Sequence, residues 1–182
     1  MASKEESKRI CWYVMRDLKR TNAKKPAYKQ FNEKHIEVFT PMKWCLKDNN
    51  GKQVREKVPF IQDLLFVHDS REVIDPIVQK IPTIQYRYCK GGEYRKPMIV
   101  NETDMERFIQ AVNASDNPKY YLTEEITPEM CRHKIRIISG KLNGYEGFLL
   151  SVRGSKVKRL LVQLPEFFSV GVEVNTDMIE FI

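Results

Sequence analysis

Apolar residues recur at strand and helix spacings through the first two thirds of the chain. Ile10 to Met15 and Leu64 to Val67 are apolar runs of strand length. Asp48-Asn49-Asn50-Gly51 predicts a tight turn that closes a hairpin onto 53–58. Further strands are predicted at 36–40, 42–46, 84–88 and 98–100, and helices at roughly 23–35, at 70–80 and from the capping box at 103–106. Strands interspersed with helices over this length predict an α/β or α+β sandwich, an antiparallel sheet with flanking helices.

The end of the chain has a different pattern, with short apolar runs separated by turn residues. The runs lie at 134–138, 148–152, 157–164, 169–174 and 179–182. Five short strands in so small a segment predict a closed β-barrel, because an open sheet would leave unprotected edges. Residues 114–131 are acidic and rich in turn formers, which predicts a linker. The predicted domains are therefore 1–113 and 132–182, joined by 114–131.

Positive charge is concentrated at the start of the chain. Residues 1–29 hold nine basic and three acidic residues, so they contribute +6 of the net charge of +7. A local basic field favours contact with phosphate backbones, and such contact weakens as salt rises. The alternative is a solvated face that only aids solubility. The predicted nucleic-acid contacts are Arg16, Lys19, Arg20, Lys24 and Lys25.

Three glycines mark the first hairpin of the all-β segment. Gly140 and Gly144 lie in a tight loop after an apolar strand, and Gly147 begins the next strand. Glycine permits a positive φ angle and close backbone approach at such points. The stretch from Lys134 to Leu150 resembles a KOW motif. This resemblance implies a small five-stranded, SH3-like β-barrel.

Three segments of the N-terminal part resemble the NusG N-terminal (NGN) domain. Trp12-Tyr13-Val14 is similar to that family's opening strand, and Val38-Phe39-Thr40-Pro41 to its strand ending in proline. Pro59 to Val67 is similar to the family's Pro-x-Phe-Pro-Gly-Tyr-x-Phe-Val stretch. Together with the KOW-like segment, the resemblance covers nearly the whole chain, in the family's order and spacing.

The resemblance implies a transcription elongation or antitermination factor that is not an enzyme. In the family, an apolar face of the NGN domain binds the clamp of the largest RNA polymerase subunit, and nearby basic positions meet upstream or non-template DNA. The KOW barrel recruits a further partner, such as a ribosomal protein or Rho. By position, the implied polymerase-binding residues are Ile61, Leu64, Phe66 and Tyr13. Leu64 and Phe66 are expected on an exposed apolar face, and Trp12 is assigned to the core.

Two departures from the family pattern indicate a specialised paralogue. The family's Pro-Gly-Tyr is Gln62-Asp63-Leu64 here, and its KOW-loop Gly-Pro-Phe is Gly140-Lys141-Leu142. The segments 63–68 and 161–176 are most similar to UpxY-type antitermination factors of Bacteroidetes, which act on capsular polysaccharide operons. A general NusG-type elongation factor is the alternative.

The sequence gives no sign of catalytic or metal chemistry. The four cysteines form no Cys-x-x-Cys pair, so neither a metal nor a cofactor is expected. No nucleophile, zinc-protease or phosphate-loop signature is present. An enzyme stays an alternative, with His35, His68 or His133 as a base and Cys11 or Cys89 as a nucleophile. A KOW-containing ribosomal or RNA-binding protein is another. No apolar run is long enough to span a membrane, and the expectation is a cytoplasmic monomer.

Overall fold

The computed structural model, which describes residues 4–19, 25–89, 96–151 and 156–182, places helices and antiparallel sheets in two units. The first unit is Met1–Glu102 and the second is Thr103–Ile182. The chain is therefore a mixed α/β protein, as the sequence predicts. The predicted boundary follows residue 113, whereas the structure divides the chain within the first turn of the helix that begins at Glu102.

The first unit is built on an antiparallel sheet. In chain order its elements are α1 (Lys4–Lys8), β1 (Cys11–Asp17), α2 (Ala27–Asn32), β2 (Glu37–Phe39), β3 (Met42–Asn49), β4 (Lys52–Pro59), β5 (Leu64–Asp69), α3 (Arg71–Lys80), β6 (Ile84–Tyr86) and β7 (Ile99–Val100). The main sheet has the order β2-β5-β1-β6, and β7 also pairs with β1. Strands β1 and β5 are interior strands of this sheet, which is why both are nearly continuous apolar runs.

The helices α2 and α3 contribute to the core on one face of this sheet. Phe31 of α2 and Ile74 of α3 belong to the same buried cluster as Met15 and Val67. Ala27 and Phe31, four residues apart on α2, are fully buried. The described helix is shorter than predicted and starts directly after Pro26, whose fixed φ angle and missing N–H suit the start of a helix.

The hairpin predicted from Asp48-Asn49-Asn50-Gly51 is confirmed. Strands β3 and β4 pair along their whole length, from Met42 opposite Pro59 to Asn49 opposite Lys52. Asn50 and Gly51 both have positive φ angles, 54° and 79°, which is the geometry of the favoured two-residue hairpin turn. The two strands form a separate two-stranded sheet.

The second unit is an antiparallel sheet with one helix. Its elements are α4 (Glu102–Asn113), β8 (Lys119–Leu122), β9 (His133–Ile137), β10 (Glu146–Leu150), β11 (Arg159–Leu164), β12 (Phe168–Glu173) and β13 (Ile179–Phe181), with 3-10 turns at Thr123–Glu125, Pro128–Cys131 and Thr176–Met178. The strand order is β13-β9-β10-β11-β12-β8. The five predicted β-runs are all present. Phe108 of α4 packs edge-to-face on Phe168 of β12, with 5.3 Å between ring centroids.

A sixth strand lies in the segment that the sequence assigns to a linker. Strand β8 pairs with β12, and its Tyr120 is buried with its ring 6.0 Å from that of Phe168. The ring of Tyr121 lies so close to Gly171 that a Cβ atom there would be 2.9 Å from it. Strand β8 thus covers an edge of β12 that would otherwise be free. The predicted barrel closure is not found, because no ladder among the described residues joins β8 to β13.

Candidate nucleic-acid and polymerase interface

A buried carboxylate holds the two described ends of the basic segment together. Asp17, the last residue of β1, accepts hydrogen bonds from the backbone N–H of Lys19 (3.0 Å) and of Ala27 at the start of α2 (2.6 Å). Buried backbone donors require such partners. Lys19 Nζ also donates to the carbonyl of Lys25 at 3.0 Å. The predicted contacts Arg20 and Lys24 lie outside the described residues.

Arg16 shares one carboxylate with a second arginine. Arg16 Nε and an Arg87 terminal nitrogen lie 3.1 and 3.2 Å from the same Oδ2 atom of Asp63. Two guanidinium groups on one carboxylate leave a local net positive charge. Arg87 was missed by the sequence analysis, although it lies within the strand predicted at 84–88. Asp63 is one of the residues by which this chain departs from the family pattern.

The described lysines of the basic segment keep most of their charge available. Lys25 Nζ pairs with Glu33 at 3.2 Å, and both side chains are well exposed. Exposed ion pairs of this kind contribute little and are readily exchanged for another anion. Lys19, Lys25 and the Arg16–Arg87 pair thus place positive charge near the end of β1, and we call these residues the positive surface. The remaining predicted basic residues, Arg20 and Lys24, lie between Lys19 and Lys25 in the sequence.

The predicted polymerase-binding residues do not form an exposed apolar face. Leu64 is 3% exposed, Phe66 0% and Tyr13 4%, so the expectation of exposure at Leu64 and Phe66 is wrong. The reason is the position of β5, which lies between β1 and β2 with Phe66 opposite Val14 on one side and Phe39 on the other. Only Ile61, in the turn before β5, is half-buried and accessible.

Tyr13 packs edge-to-face on Tyr86, with 5.6 Å between ring centroids. Burial raises the pKa of Tyr13 to about 12, and burial together with a hydrogen bond to Asp75 raises the pKa of Tyr86 further. The Tyr86 hydroxyl donates to Asp75 at 2.8 Å, and Arg71 pairs with the same carboxylate. Trp12, which the sequence assigns to the core, is buried as predicted and stacks on His68 at 4.6 Å.

The three glycines of the KOW-like segment have the backbone geometry that the sequence predicts. Gly140 and Gly144 adopt φ angles of 81° and 83° in the loop between β9 and β10. The N–H of Gly144 donates to the carbonyl of Ile137 at 2.7 Å. At Gly147 a Cβ atom would lie 2.5 Å from the Leu161 carbonyl oxygen, so close packing of β10 on β11 requires glycine.

The β3–β4 hairpin carries an aromatic and basic cluster that the sequence analysis missed. The Arg55 guanidinium carbon lies 4.5 Å and Lys57 Nζ 5.0 Å from the ring centre of Trp44. The available signal was that Trp44 and Leu46 are two residues apart in one predicted strand, and Arg55 and Lys57 two residues apart in the next. Taken alone, that alternation indicates strands and says nothing of a binding surface.

The described ranges assemble no metal site. No group of three or more His, Cys, Asp and Glu side chains is placed to bind a metal ion there. His68 contacts Glu37 and Glu102, at 2.7 and 3.0 Å, rather than a cysteine. The helices within those same ranges are all too short or too polar to cross a bilayer.

The first unit is thus a mixed α/β unit with positive charge near the end of β1. Residues 10–109, more than half of the chain, match the family model described as NusG, transcription termination factor nusG. The chain belongs to the NusG family. Proteins of this family are transcription elongation and antitermination factors rather than enzymes, and they generally bind RNA polymerase. No curated protein matches the chain.

Proposed function

We propose that this protein is a transcription elongation and antitermination factor that docks its NGN domain on the clamp of the largest RNA polymerase subunit. The observation that carries the proposal is the NusG family match over residues 10–109. The protein acts in the cytoplasm as a monomer, and the polymerase supplies the chemistry. Bound there, it favours continued elongation through terminators in long operons.

The positive surface at the end of β1 contacts upstream or non-template DNA in this proposal. The Asp17 carboxylate accepts the backbone N–H groups of Lys19 and Ala27, which fixes the backbone at both described ends of the segment. Arg20 and Lys24 fall within the same stretch of sequence. A positive surface held on a rigid strand end favours phosphate contacts without reading base sequence.

Polymerase docking involves Ile61 directly and the other three predicted residues indirectly. Ile61 is accessible, and its carbonyl accepts the N–H of Leu64 at 3.3 Å. Leu64, Phe66 and Tyr13 are buried, so they support the docking surface from the core. Replacing Ile61 is therefore the cleaner way to disturb the contact, because its side chain is not part of that core.

The C-terminal residues 132–182 act as a KOW domain that recruits a second protein, such as a ribosomal protein or Rho. Support comes from the loop of Gly140 and Gly144 and from Gly147 in β10. A shallow groove of about 170 Å³ beside this loop is lined by residues that include Ile137, Leu142 and Met178. The segment 114–131 connects it to the NGN domain at 1–113.

The specialised role that we propose is UpxY-like antitermination at capsular or exopolysaccharide operons. The departure at Asp63 is compensated within this chain, since Asp63 pairs with both Arg16 and Arg87. The negative charge that Asp63 adds to this turn is thus paired with two arginines of the positive surface. Greater read-through on a polysaccharide operon leader than on an unrelated leader is the expected behaviour.

Binding to a reconstituted elongation complex tests the nucleic-acid part of the proposal. Changing Lys19, Arg20, Lys24 and Lys25 to Gln should weaken binding and reduce the steepness of its salt dependence by about one unit for each phosphate that the variant no longer neutralises. A matched variant changes Lys80, Lys119, Lys141 and Lys156 to Gln, which removes the same net charge elsewhere. Equal salt dependence in the two variants would show that the segment is only a solvated face.

A further inference from the structure

The β3–β4 hairpin is a ribbon with two chemically different sides. Within the described part of the chain its two strands pair only with each other, and most of its side chains are exposed. Because side chains alternate along a strand, Trp44 and Leu46 share one side with Lys57 and Arg55, the residues directly opposite them. We call these four residues the ribbon face.

The opposite side of the ribbon carries one cross-strand ion pair. There Lys47 Nζ pairs with Glu56 at 2.7 Å, and Lys43 Nζ lies 5.4 Å from the ring centre of Phe60. No carboxylate in the described part of the chain lies within ion-pair distance of Arg55 or Lys57. The nearby carboxylate of Asp48 accepts the N–H of Gly51 in the turn at 2.7 Å.

The ribbon face exposes apolar surface beside unpaired cations. The large hydrophobic residues Trp44 and Leu46 are 42% and 68% exposed. The two cations lie against the Trp44 ring instead of against acidic side chains. With Arg55 and Lys57 over the Trp44 ring, the ring and the planar guanidinium group offer stacking surfaces for a base, and the two charges are available for its flanking phosphates.

We infer that the ribbon face binds unpaired bases of a single-stranded nucleic acid, either DNA or RNA. A base stacks on Trp44 and against Leu46, while Arg55 and Lys57 contact the phosphates on either side. Charge complementarity favours a polyanion over an ordinary protein surface. The apolar centre favours unpaired bases over a duplex, whose base faces are covered. The inference uses the hairpin alone and does not depend on polymerase binding.

The test measures binding of the full-length protein to fluorescently labelled poly(dT), poly(U) and a DNA duplex, without polymerase. Trp44→Ala should weaken binding to a single strand about tenfold or more, since stacking on an aromatic side chain is a major part of such affinity. Val54→Ser, on the opposite side of the ribbon, should leave it unchanged. Binding should also quench tryptophan emission, because Trp44 is accessible and the other tryptophan, Trp12, is buried.

A charge-matched pair of variants separates the ribbon face from general attraction. Arg55→Gln/Lys57→Gln should lower affinity and the salt slope more than Lys43→Gln/Lys47→Gln, which removes the same charge from the other side. A stronger effect on poly(dT) or on poly(U) identifies the nucleic acid bound. Equal reductions in the two double variants, unchanged binding by Trp44→Ala, or tighter binding to the duplex would each overturn the inference.

Discussion

Leu64→Ala will lower the free energy of unfolding of the first unit by about 2–5 kcal/mol, the range for truncating a buried leucine. Leu64 is 3% exposed and lies in β5, opposite Arg16 of β1. Its removal leaves a cavity on one face of the sheet that the surrounding structure fills only in part. Phe66→Ala, at a fully buried aromatic position, is expected to destabilise the unit by about 3–5 kcal/mol.

Leu46→Ala is the matched control for this prediction, because it makes the same chemical change in the same unit at a residue that is 68% exposed. Its effect should stay within about 0.5 kcal/mol. Urea unfolding followed by tryptophan emission measures both variants, since both tryptophans, Trp12 and Trp44, lie in the first unit. Similar unfolding midpoints for Leu64→Ala and Leu46→Ala would show that Leu64 is not a core residue.

The result bears directly on how polymerase docking should be tested. Charged substitutions at Leu64 and Phe66 would place an unpaired charge in the core, which unfolds a marginally stable unit. Loss of polymerase binding in such a variant would therefore report loss of the fold. A substitution at Ile61 in the preceding turn avoids this ambiguity.

Gly147→Ala will destabilise the second unit by about 1–3 kcal/mol, the usual effect of forcing extra volume into a packed site. The added Cβ atom would lie 2.5 Å from the backbone oxygen of Leu161 and 2.9 Å from Leu160 Cδ1. Because one of these neighbours is backbone, relief requires β10 and β11 to move apart. The ladder between Phe148 and Leu161 should weaken first.

Gly144→Asn provides the control for this substitution. Gly144 has a φ angle of 83° and nothing within 4 Å of a built Cβ atom, and asparagine tolerates the left-handed region better than most residues. Hydrogen exchange should speed up in β10 and β11 of Gly147→Ala and change little in Gly144→Asn. Unaltered exchange in Gly147→Ala would mean that the two strands are not packed as closely as described.

Local sequence patterns predicted local structure well. Asp48 to Gly51 identified the β3–β4 turn because Asn and Gly at its centre accept positive φ angles. The glycines of the β9–β10 loop were interpreted in the same way. Apolar runs located β1 and β5 because an interior strand must bury both of its faces. In each case a few neighbouring residues determine the outcome.

Properties that depend on distant partners were harder to predict. Leu64 and Phe66 were expected at the surface because they match the family's polymerase-binding positions. Similarity of position says nothing about what covers a side chain in the folded protein. The sequence analysis assigned β8 to a linker and missed the strand. The pairing of β8 with β12 depends on residues such as Gly171, far along the chain, which a local pattern does not reveal. The pairing of Asp63 with Arg16 and Arg87 was not predicted, because folding brings these three residues together from distant parts of the sequence.

Single-round transcription through a terminator, with the cognate RNA polymerase and with or without the purified protein, tests most directly whether this chain is an elongation and antitermination factor. The fraction of transcripts that read through should rise with protein concentration. It should rise less when Lys19, Arg20, Lys24 and Lys25 are Gln. An unchanged read-through fraction, or increased termination, at concentrations that saturate polymerase binding would contradict the proposed function.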